Sequence, residues 1–304
     1  MDNSGKNILK QGYPVIVIGL PVYNEEQHLR EALDSVIGQE YTNWKLLISD
    51  NCSGDKTSSI CSEYCTYDER IVYTRQSSNL GGAENFHLVA KMAKETNCDY
   101  FMFLRGDAVL SHDYLKSLVE SLEQSPEASL AYSEMVWIDM NSAAIKDKPE
   151  AYYNSIGLSI SQRIAVLLWT RPNQLYGVMR GEHIRKIADE SWWQTIGVDH
   201  VLLMELALRG GFRFNDGPTF YRRYNYAGET YRMRMKRYKF SLFKKNTSAI
   251  SGGILSRLSI LKLPLSLVKV VVGSGLLLKD KLHIIIIIVF TAPLRYMDAR
   301  DRGV

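Results

Sequence analysis

The residues best suited to chemistry follow short apolar runs in the first third of the chain. Carboxylates occur at Glu25, Asp50 and Asp107, and paired glycines occur at Gly81 and Gly82. Each group directly follows a run that predicts a buried strand, within the clusters PVYNEE, SDNCSGDKT, NLGGAENF and RGDAV. Ligands of open α/β sheets bind at the carboxyl ends of the strands. The spacing therefore predicts one binding crevice shared by four loops.

Each of these residues, taken alone, also has a purely structural explanation. Asp50 could cap the helix that follows it, and Gly81-Gly82 could form a tight turn. Asp199 precedes the apolar segment VLLMELAL and could likewise cap a helix. His200 comes next, and a single histidine at a helix start is more often structural than chemical. The functional explanation is favoured because four clusters would share one edge of the sheet.

The elements that must position these clusters alternate between strand and helix. A β-branched run at residues 15–18 is typical of a strand covered on both faces. The following segment places Leu29, Leu33 and Val36 on one helical stripe. Three further strand-and-helix units follow, the first with a strand at residues 45–49. Such alternation predicts an α/β fold, a parallel sheet with right-handed crossovers.

The pattern changes after Pro126. The sequence predicts one more strand, two helices and a late strand or strand pair, in SLAYSEMVWID, ISQRIAVLLW, VDHVLLMELALRGG and FRFNDGPTFYRRY. From residue 250 onward the chain becomes much more apolar. This shift in composition indicates a distinct C-terminal region.

The overall composition is that of an ordinary globular protein. Of the 304 residues, 46% are hydrophobic and 23% are charged, which argues against a disordered or fibrous chain. We interpret Cys52, Cys61, Cys65 and Cys98 as reduced thiols, because no second Cys or His pair completes a zinc site. The first 14 residues contain no apolar core, so we expect neither an export signal nor a membrane anchor there.

Two segments resemble motifs of one enzyme family. The opening of family 2 glycosyltransferases is similar to the segment LPVYNEEQHLREALDSVIGQEYTNWKLLISDNCSGDKT, and the likeness runs from about Pro14 to Leu118. A later acidic motif of that family resembles GVDHVLLMELALRGGFRF. The resemblance implies a GT-A fold, in which helices flank a Rossmann-like, mostly parallel sheet. It also implies transfer of a sugar from a nucleotide sugar to an acceptor, with inversion.

The resemblance also suggests how the chain is organised. We expect an N-terminal tail at residues 1–13 and a GT-A domain at residues 14–226. A basic and apolar helical appendage would follow at residues 227–304.

The resemblance further implies a nucleotide-sugar site. Its members in this sequence are Pro21, Tyr23, Glu25, Asp50, Asn79, Gly81, Gly82, Arg105, Asp107, Arg180, Arg222 and Arg223. Asp50 would accept a hydrogen bond from the ring N–H of the base, since a carboxylate only accepts. The glycines would let the backbone pass close to the ribose and diphosphate. The late arginines would clamp phosphate oxygens.

Asp107 matches the last acid of the family's D-x-D motif, which holds Mg²⁺ or Mn²⁺ against the diphosphate. Such a cation takes only one or two protein carboxylates beside the phosphates. However, Arg105 replaces the first acid, and Ala108 replaces the acid that commonly follows. Arg105 could grip a phosphate oxygen, pair with Asp107 in a site without metal, or point away. The resemblance favours a retained cation with Asp107 as its one protein ligand.

Asp199 is the candidate catalytic residue. It aligns with the second acid of the later motif, the general base of the family, whereas Val198 replaces the first acid. Inverting transfer needs a base that takes the proton of the acceptor hydroxyl as its oxygen attacks the anomeric carbon. The histidine that many relatives carry after the late arginine pair is absent from this sequence.

The C-terminal region combines a basic stretch with an apolar one. The formal net charge of the chain is only +4, yet residues 222–245 contain nine Lys or Arg and one Glu. Nothing else indicates a nucleic acid, whereas a basic stretch before an apolar tail favours an anionic membrane surface. The segment HIIIIIVFTAPL is too short to span a bilayer, which takes about 20 apolar residues. An interfacial element fits best, and packing on the domain or another subunit, or a spanning helix, are the alternatives.

The expected function is glycosyl transfer to a glycan or lipid-linked acceptor, in polysaccharide biosynthesis for the cell envelope. The expected location is cytoplasmic, peripheral at the inner face of the membrane. Arg105, Ala108 and Val198 also allow a catalytically degenerate nucleotide-sugar binding or scaffold subunit. A nucleotidyltransferase with a similar crevice is a further alternative.

Overall fold

Parallel strands and helices alternate through the first third of the chain. The computed structural model describes residues 12–145, 152–188, 193, 197–224 and 259–301. The alternating units are β1 (Ile16–Val22), α1 (Leu29–Ile37), β2 (Trp44–Asp50), α2 (Thr57–Tyr67), β3 (Ile71–Arg75), α3 (Gly82–Lys94) and β4 (Tyr100–Phe103). β1 pairs in parallel with β2 and with β4, and β2 pairs in parallel with β3. The predicted parallel sheet with helical crossovers is confirmed for this part of the chain.

The remainder of the sheet is mixed. Its elements are β5 (Ala108–Leu110), α4 (Tyr114–Glu123), β6 (Ala128–Ile138), α5 (Ile160–Trp169), the 3₁₀ helix η1 (Pro172–Tyr176), β7 (Val178–Arg180), α6 (Gly181–Ile187), α7 (Val198–Arg209) and β8 (Gly211–Arg223). Within the described residues, eight strands lie in the order β3-β2-β1-β4-β7-β6-β8-β5. Four of their seven pairings are parallel, and the pairings of β7 and of β5 are antiparallel.

The core forms around β1 because this strand lies inside the sheet. Residues 16–18 are fully buried. Gly19 allows α3 to approach closely, since a Cβ there would lie 2.2 Å from Val89 Cγ1 and 2.9 Å from Phe101 Cζ. Because α3 is held this near to β1, the loop that precedes α3 is fixed relative to the sheet.

Two C-terminal helices, α8 (Ser259–Gly273) and α9 (Leu278–Asp301), pack beside the sheet domain. α8 contacts α7, and α9 contacts α5 and α8. The predicted helical C-terminal appendage is therefore confirmed. Within the part of the chain that the structure describes, no helix combines the length and apolar character that a bilayer crossing requires.

Some predicted segments lie outside the described residues. These are the N-terminal tail up to residue 11, residues 225–258, which include most of the basic stretch, and residues 302–304. The proposed boundaries after residues 13 and 226 therefore stay predictions.

Candidate active site

Hydrogen bonds join the loops that follow β1 and β2. The Asn24 backbone N–H donates to Ser53 Oγ at 3.0 Å, and the Gly54 N–H donates to Asn24 Oδ1 at 2.9 Å. The Glu25 N–H donates to Thr57 Oγ1 at 2.8 Å. The first two predicted clusters therefore meet at the carboxyl edge of the sheet and form one wall of a crevice.

Pro21 and Tyr23 lie at the end of β1, next to this wall. Pro21 is half-buried and lies opposite Ser49 in the register of β1 and β2. Tyr23 directly follows β1, and its side chain is exposed. Both predicted residues are therefore at the edge where the crevice opens.

Asp50 is fully buried at the carboxyl end of β2. Its Oδ1 accepts hydrogen bonds from the Ser53 N–H at 2.9 Å and from Ser53 Oγ at 2.6 Å. Its Oδ2 accepts from the Tyr73 hydroxyl at 2.9 Å, and Arg75 Nε lies 3.6 Å away. A carboxylate has about four lone-pair positions. Asp50 therefore fixes the loop after β2, and little of its acceptor capacity is left for a nucleotide base.

The loop after β3 is tied to the loop after β2 by two asparagines. Asn51 Nδ2 donates to Asn79 Oδ1 at 3.2 Å, and the Leu80 N–H donates to Asn51 Oδ1 at 2.7 Å. The Gly81 N–H donates to Asn79 Oδ1 at 2.9 Å. Gly81 has φ of +91° and precedes the first residue of α3, Gly82. The start of α3 therefore faces the crevice, where a helix N-terminus suits a phosphate group.

Arg105 and Asp107 form a bidentate ion pair after β4. Arg105 Nε lies 2.7 Å from Asp107 Oδ1, and Arg105 Nη2 lies 2.8 Å from Asp107 Oδ2. The Asp107 side chain is only 2% exposed, whereas that of Arg105 is 25% exposed. Glu25 packs over the residue between them, since a Cβ on Gly106 would lie 2.9 Å from Glu25 Cγ. Glu25 therefore lies near the ion pair, where the charges of Arg105 and Asp107 both act on it.

This arrangement shifts the pKa values of Asp107 and Glu25 in opposite directions. Burial alone would raise the pKa of Asp107, but the charge and hydrogen bonds of Arg105, with a further contribution from Arg222, hold the pKa below its ordinary value. Burial raises the pKa of Glu25 to about 7, and the negative charge of Asp107 adds to this effect while Arg105 opposes it. Asp107 therefore stays ionised, whereas Glu25 changes charge near neutral pH.

The residues at Asp107 do not fit the predicted divalent cation. Both Asp107 oxygens already accept N–H groups of Arg105, so a metal would have to compete with a positively charged guanidinium for the same carboxylate. Among the described residues, no group of three or more His, Cys, Asp or Glu side chains could hold a metal ion. Of the three arrangements that the sequence left open for Arg105, the structure contains the pair with Asp107.

Arg222 reaches the same site from the neighbouring strand. It lies opposite Ala108 in the antiparallel pairing of β5 and β8. Its guanidinium lies 4.8 Å from the centre of a Trp137 ring and 5.5 Å from the centre of the Tyr176 ring. Such cation–π contacts hold the charged group without neutralising it. Arg222 therefore adds a second positive charge beside Asp107.

The structure does not bring Arg223 and Arg180 to the crevice. The Arg223 guanidinium is fully buried, and it donates to Glu31 Oε2 at 2.7 Å and to the Asp139 carbonyl at 2.7 Å. Arg180 donates from Nε to the Ala128 carbonyl at 2.8 Å. It lies opposite Tyr100, at the amino end of β4. Both arginines hold the domain together, and the predicted phosphate clamp does not include them.

A separate cavity of about 620 Å³ lies beside Arg180 at the amino edge. Its lining includes Asp99, Glu123 and Arg185. It opens on the side of the sheet away from Asp107, so it is not part of the crevice.

Asp199 lies in the first turn of α7. The N-cap of this helix is Gly197, with φ of +79°, so Asp199 is not the cap that the sequence allowed. The Asp199 side chain is 35% exposed. Its Oδ1 accepts the His200 backbone N–H at 2.9 Å and lies 3.1 Å from His200 Nδ1. Asp199 is therefore held at a helix start and still reaches solvent.

The direction of α7 points Asp199 toward the edge that carries Asp107. α7 ends against the start of β6, since a Cβ on Gly210 would lie 2.7 Å from the Glu127 carbonyl oxygen. β4 and β6 are both antiparallel to β7, so they share one direction. A 12-residue helix is about 18 Å long. Since α7 ends at the amino edge of β6, its start lies toward the carboxyl edge. In keeping with this, Trp193 packs on Phe103, the last residue of β4, with ring centres 6.3 Å apart.

Comparison with known families agrees with this geometry. The profile described as Glycosyl transferase family 2 matches residues 17–168, half of the 304-residue chain. The chain belongs to glycosyl transferase family 2. The matched part runs from β1 into α5, so it includes Asp50 and Asp107 but ends before Asp199.

Two named relatives are identical to this glycosyltransferase at about a third of the aligned residues. Glycosyltransferase GlyA of Streptococcus pneumoniae is 32% identical over 108 residues, which cover 35% of this chain and 15% of GlyA. The putative teichuronic acid biosynthesis glycosyltransferase TuaG of Bacillus subtilis is 31% identical over 122 residues, which cover 40% of this chain and 45% of TuaG. The chain thus spans less than half the length of each of these relatives.

A solved structure shares the fold over nearly the whole glycosyltransferase chain. TarS of S. aureus, residues 1–349 in complex with UDP-GlcNAc, superimposes with a TM-score of 0.64 and 15% identity, over 92% of this chain and 72% of that one. The likeness confirms the predicted GT-A fold.

Sequence reasoning missed several residues that build this site. Ser53 could have been found, because a serine three residues after an aspartate is a common turn signal. Tyr73, Trp137 and Tyr176 left no local signal, since their partners Asp50 and Arg222 are distant in sequence. His200 was interpreted as structural, yet its ring contacts the candidate base.

Proposed function

We propose that this glycosyltransferase moves a glycosyl group from a nucleotide sugar to a hydroxyl of a glycan or lipid-linked acceptor, with inversion and with Asp199 as general base. The observation that carries the proposal is the contrast between two aspartates at one edge of the sheet. Asp107 is buried and paired with an arginine, while Asp199 is partly exposed at a helix start. The first arrangement suits a diphosphate, and the second suits an incoming hydroxyl.

In the proposed reaction the acceptor oxygen attacks the anomeric carbon from the face opposite the diphosphate. The new C–O bond forms with an electron pair of that oxygen, and the nucleoside diphosphate leaves with the pair of the broken bond. Asp199 accepts the proton of the acceptor hydroxyl, a role that contributes about 10²–10⁴-fold. The His200 N–H keeps the carboxylate in place during this transfer.

We propose that arginines neutralise the leaving diphosphate. Members of the family commonly use a divalent cation for this purpose, but the donor set around Asp107 does not fit one. A guanidinium carries five N–H donors, and Asp107 occupies only Nε and Nη2 of Arg105. The remaining donors of Arg105, together with Arg222, can bind phosphate oxygens. Asp107 then acts as a positioning residue for Arg105.

The ion pair of Arg105 and Asp107 also supports one alternative, a nucleotide-sugar binding subunit without transferase activity. In that case Arg105 would replace the metal for binding only. The name of the Bacillus relative suggests an envelope polysaccharide as the product class, and we propose a cytoplasmic, membrane-peripheral location for the chain.

Turnover of a panel of nucleotide sugars by Asp199→Asn tests the proposal. We expect hydrolysis or transfer to fall by about 10²–10⁴-fold, with nucleotide affinity unchanged. Asp113→Asn, the same change at the start of α4, is the matched control and should turn over like the parent protein. Equal rates for Asp199→Asn and the parent would remove Asp199 from the mechanism. Tight binding without turnover in any variant would favour the binding subunit.

A further inference from the structure

A stripe of exposed apolar side chains runs along one face of α9. Its members are each more than half exposed: Leu278, Leu282, Ile286, Val289 and Phe290. They recur at intervals of three or four residues, which places them on the same side of the helix. We refer to these five residues as the α9 stripe.

The opposite face of α9 is the one that packs on the protein. Ile284 and Ile288 are fully buried, and α9 contacts α5 and α8. Residues 284–290 of α9 are all apolar, and a helical segment that is apolar all round is normally covered on all sides. Within the described residues only one side of α9 is covered, so the α9 stripe is expected to have an apolar partner.

The stripe differs from the rest of the described surface. Elsewhere the exposed large apolar side chains are aromatic or Met: Tyr13, Tyr23, Tyr67, Met140 and Trp169. In the described part of the chain, all large aliphatic side chains that are exposed belong to α8, α9 or the turn between them. Such a concentration of apolar surface marks an interaction site.

The charge around the stripe indicates which partner this is. Lys269 and Lys279 are exposed on α8 and α9. The sequence that leads into α8, residues 230–258, contains eight Lys or Arg and no Asp or Glu. Cations near an anionic bilayer are attracted to its surface. A second copy of the chain would instead bring two cationic segments together, which is unfavourable.

The stripe is linked to the catalytic region through α8. A Cβ on Gly197 would lie 3.0 Å from Leu263 Cδ2, so α8 packs against the start of α7. Asp199 lies two residues further along α7. A surface that holds α8 and α9 therefore also sets the position of the candidate base.

We propose that the α9 stripe lies in the interface of an anionic lipid bilayer and holds the start of α7 near that surface. The stripe would enter the region between headgroups and acyl chains, with Lys269 and Lys279 at the headgroups. As far as it concerns the acceptor, this rests on the proposed function: an acceptor presented at the membrane would be lipid-linked rather than a free glycan.

Vesicle flotation tests the proposal without requiring catalysis. The probes are vesicles of phosphatidylcholine alone and of phosphatidylcholine with phosphatidylglycerol. We expect the protein to float with the anionic vesicles, and we expect Leu282→Glu/Ile286→Glu to reduce the partition coefficient by about tenfold or more. Tyr67→Glu/Met140→Glu, which also adds two negative charges at exposed positions outside α8 and α9, is the matched control and should bind like the parent.

Nucleotide-sugar hydrolysis in the absence of vesicles should be the same for all three proteins, which separates this test from that of Asp199. If the double variant unfolds at a lower temperature than the control, Leu282→Ser/Phe290→Ser tests the same face without adding charge. Absence of vesicle binding, or equal binding by parent and variants, would overturn the proposal. A dimer that the stripe variants dissociate, without vesicle binding, would also overturn it and assign the face to self-association.

Discussion

The two sides of the crevice hold their aspartates in different ways. On the donor side, Asp107 is 2% exposed and both of its oxygens accept N–H groups of Arg105. On the proposed acceptor side, Asp199 is 35% exposed, and its Oδ1 lies 3.1 Å from His200 Nδ1. Asp107 is therefore shielded from solvent by its partner, whereas Asp199 is accessible from solvent.

The difference shows how one residue type serves two purposes in a single site. The neighbouring guanidinium keeps Asp107 ionised, and in the proposed function this carboxylate positions the positive charge of Arg105 for the diphosphate. Asp199 is partly exposed at the first turn of α7, and in the proposed function this exposure lets an acceptor hydroxyl reach it. Substitutions that remove the ion pair of Arg105 and Asp107 test whether this pair differs from an exposed one.

The largest effect should come from Arg105→Ala. This change leaves the buried Asp107 carboxylate without its guanidinium, and breaking a buried pair in this way costs about 3–5 kcal/mol of unfolding free energy. Arg105→Ala/Asp107→Ala should be less destabilised, because the uncompensated charge is gone. Urea denaturation measures all three proteins.

The matched control is Arg30→Ala, which breaks an exposed bidentate pair with Glu63 on the helical surface. We expect a much smaller loss there, because water solvates both partners. Equal losses for Arg30→Ala and Arg105→Ala would mean that the Asp107 pair is solvated like a surface pair, and the contrast between the two sides would fail.

A smaller effect concerns pH and Glu25. Burial raises the pKa of Glu25 from 4.5 to about 7, so the folded protein holds an extra proton between these values. The stabilising contribution is complete below pH 4.5 and is lost as the pH rises through about 7. Asp107 contributes nothing to this window, because its lowered pKa changes stability only at more acidic pH.

Glu25→Gln stays neutral and should lack this loss. The difference in unfolding free energy between parent and variant should therefore change by about 1–3 kcal/mol across the window. Urea denaturation at a series of pH values measures it. Parallel pH profiles for the two proteins would show that Glu25 ionises normally.

Much of the fold could be predicted from the sequence, because local periodicity determines it. ISQRIAVLLW predicted the helix that the structure has at Ile160–Trp169, and the strand predicted at residues 45–49 lies within Trp44–Asp50. The strands β5 and β7 were missed because each has three residues, too few to display the alternation that marks a strand.

The site could be predicted only in part, because the type of a residue does not determine which other residue it contacts. Arg180, Arg222 and Arg223 were equivalent in the sequence. In the structure Arg180 binds carbonyl groups at the opposite edge, Arg223 pairs with Glu31, and Arg222 faces Asp107. These contacts join elements that are far apart along the chain. The pair of Arg105 and Asp107 was among the predicted arrangements because the two residues are neighbours in sequence.

We propose that Arg105 takes the place of a metal ion at the diphosphate, and the decisive experiment is to measure turnover after divalent cations are removed. Nucleotide-sugar turnover is measured with EDTA and then with added Mn²⁺, for the parent protein and for Arg105→Asp, which restores the two acids of the D-x-D motif. If Arg105 replaces the metal, EDTA leaves the parent unaffected, whereas any activity of Arg105→Asp depends on Mn²⁺. Loss of the parent's activity in EDTA, with recovery on adding Mn²⁺, would contradict it.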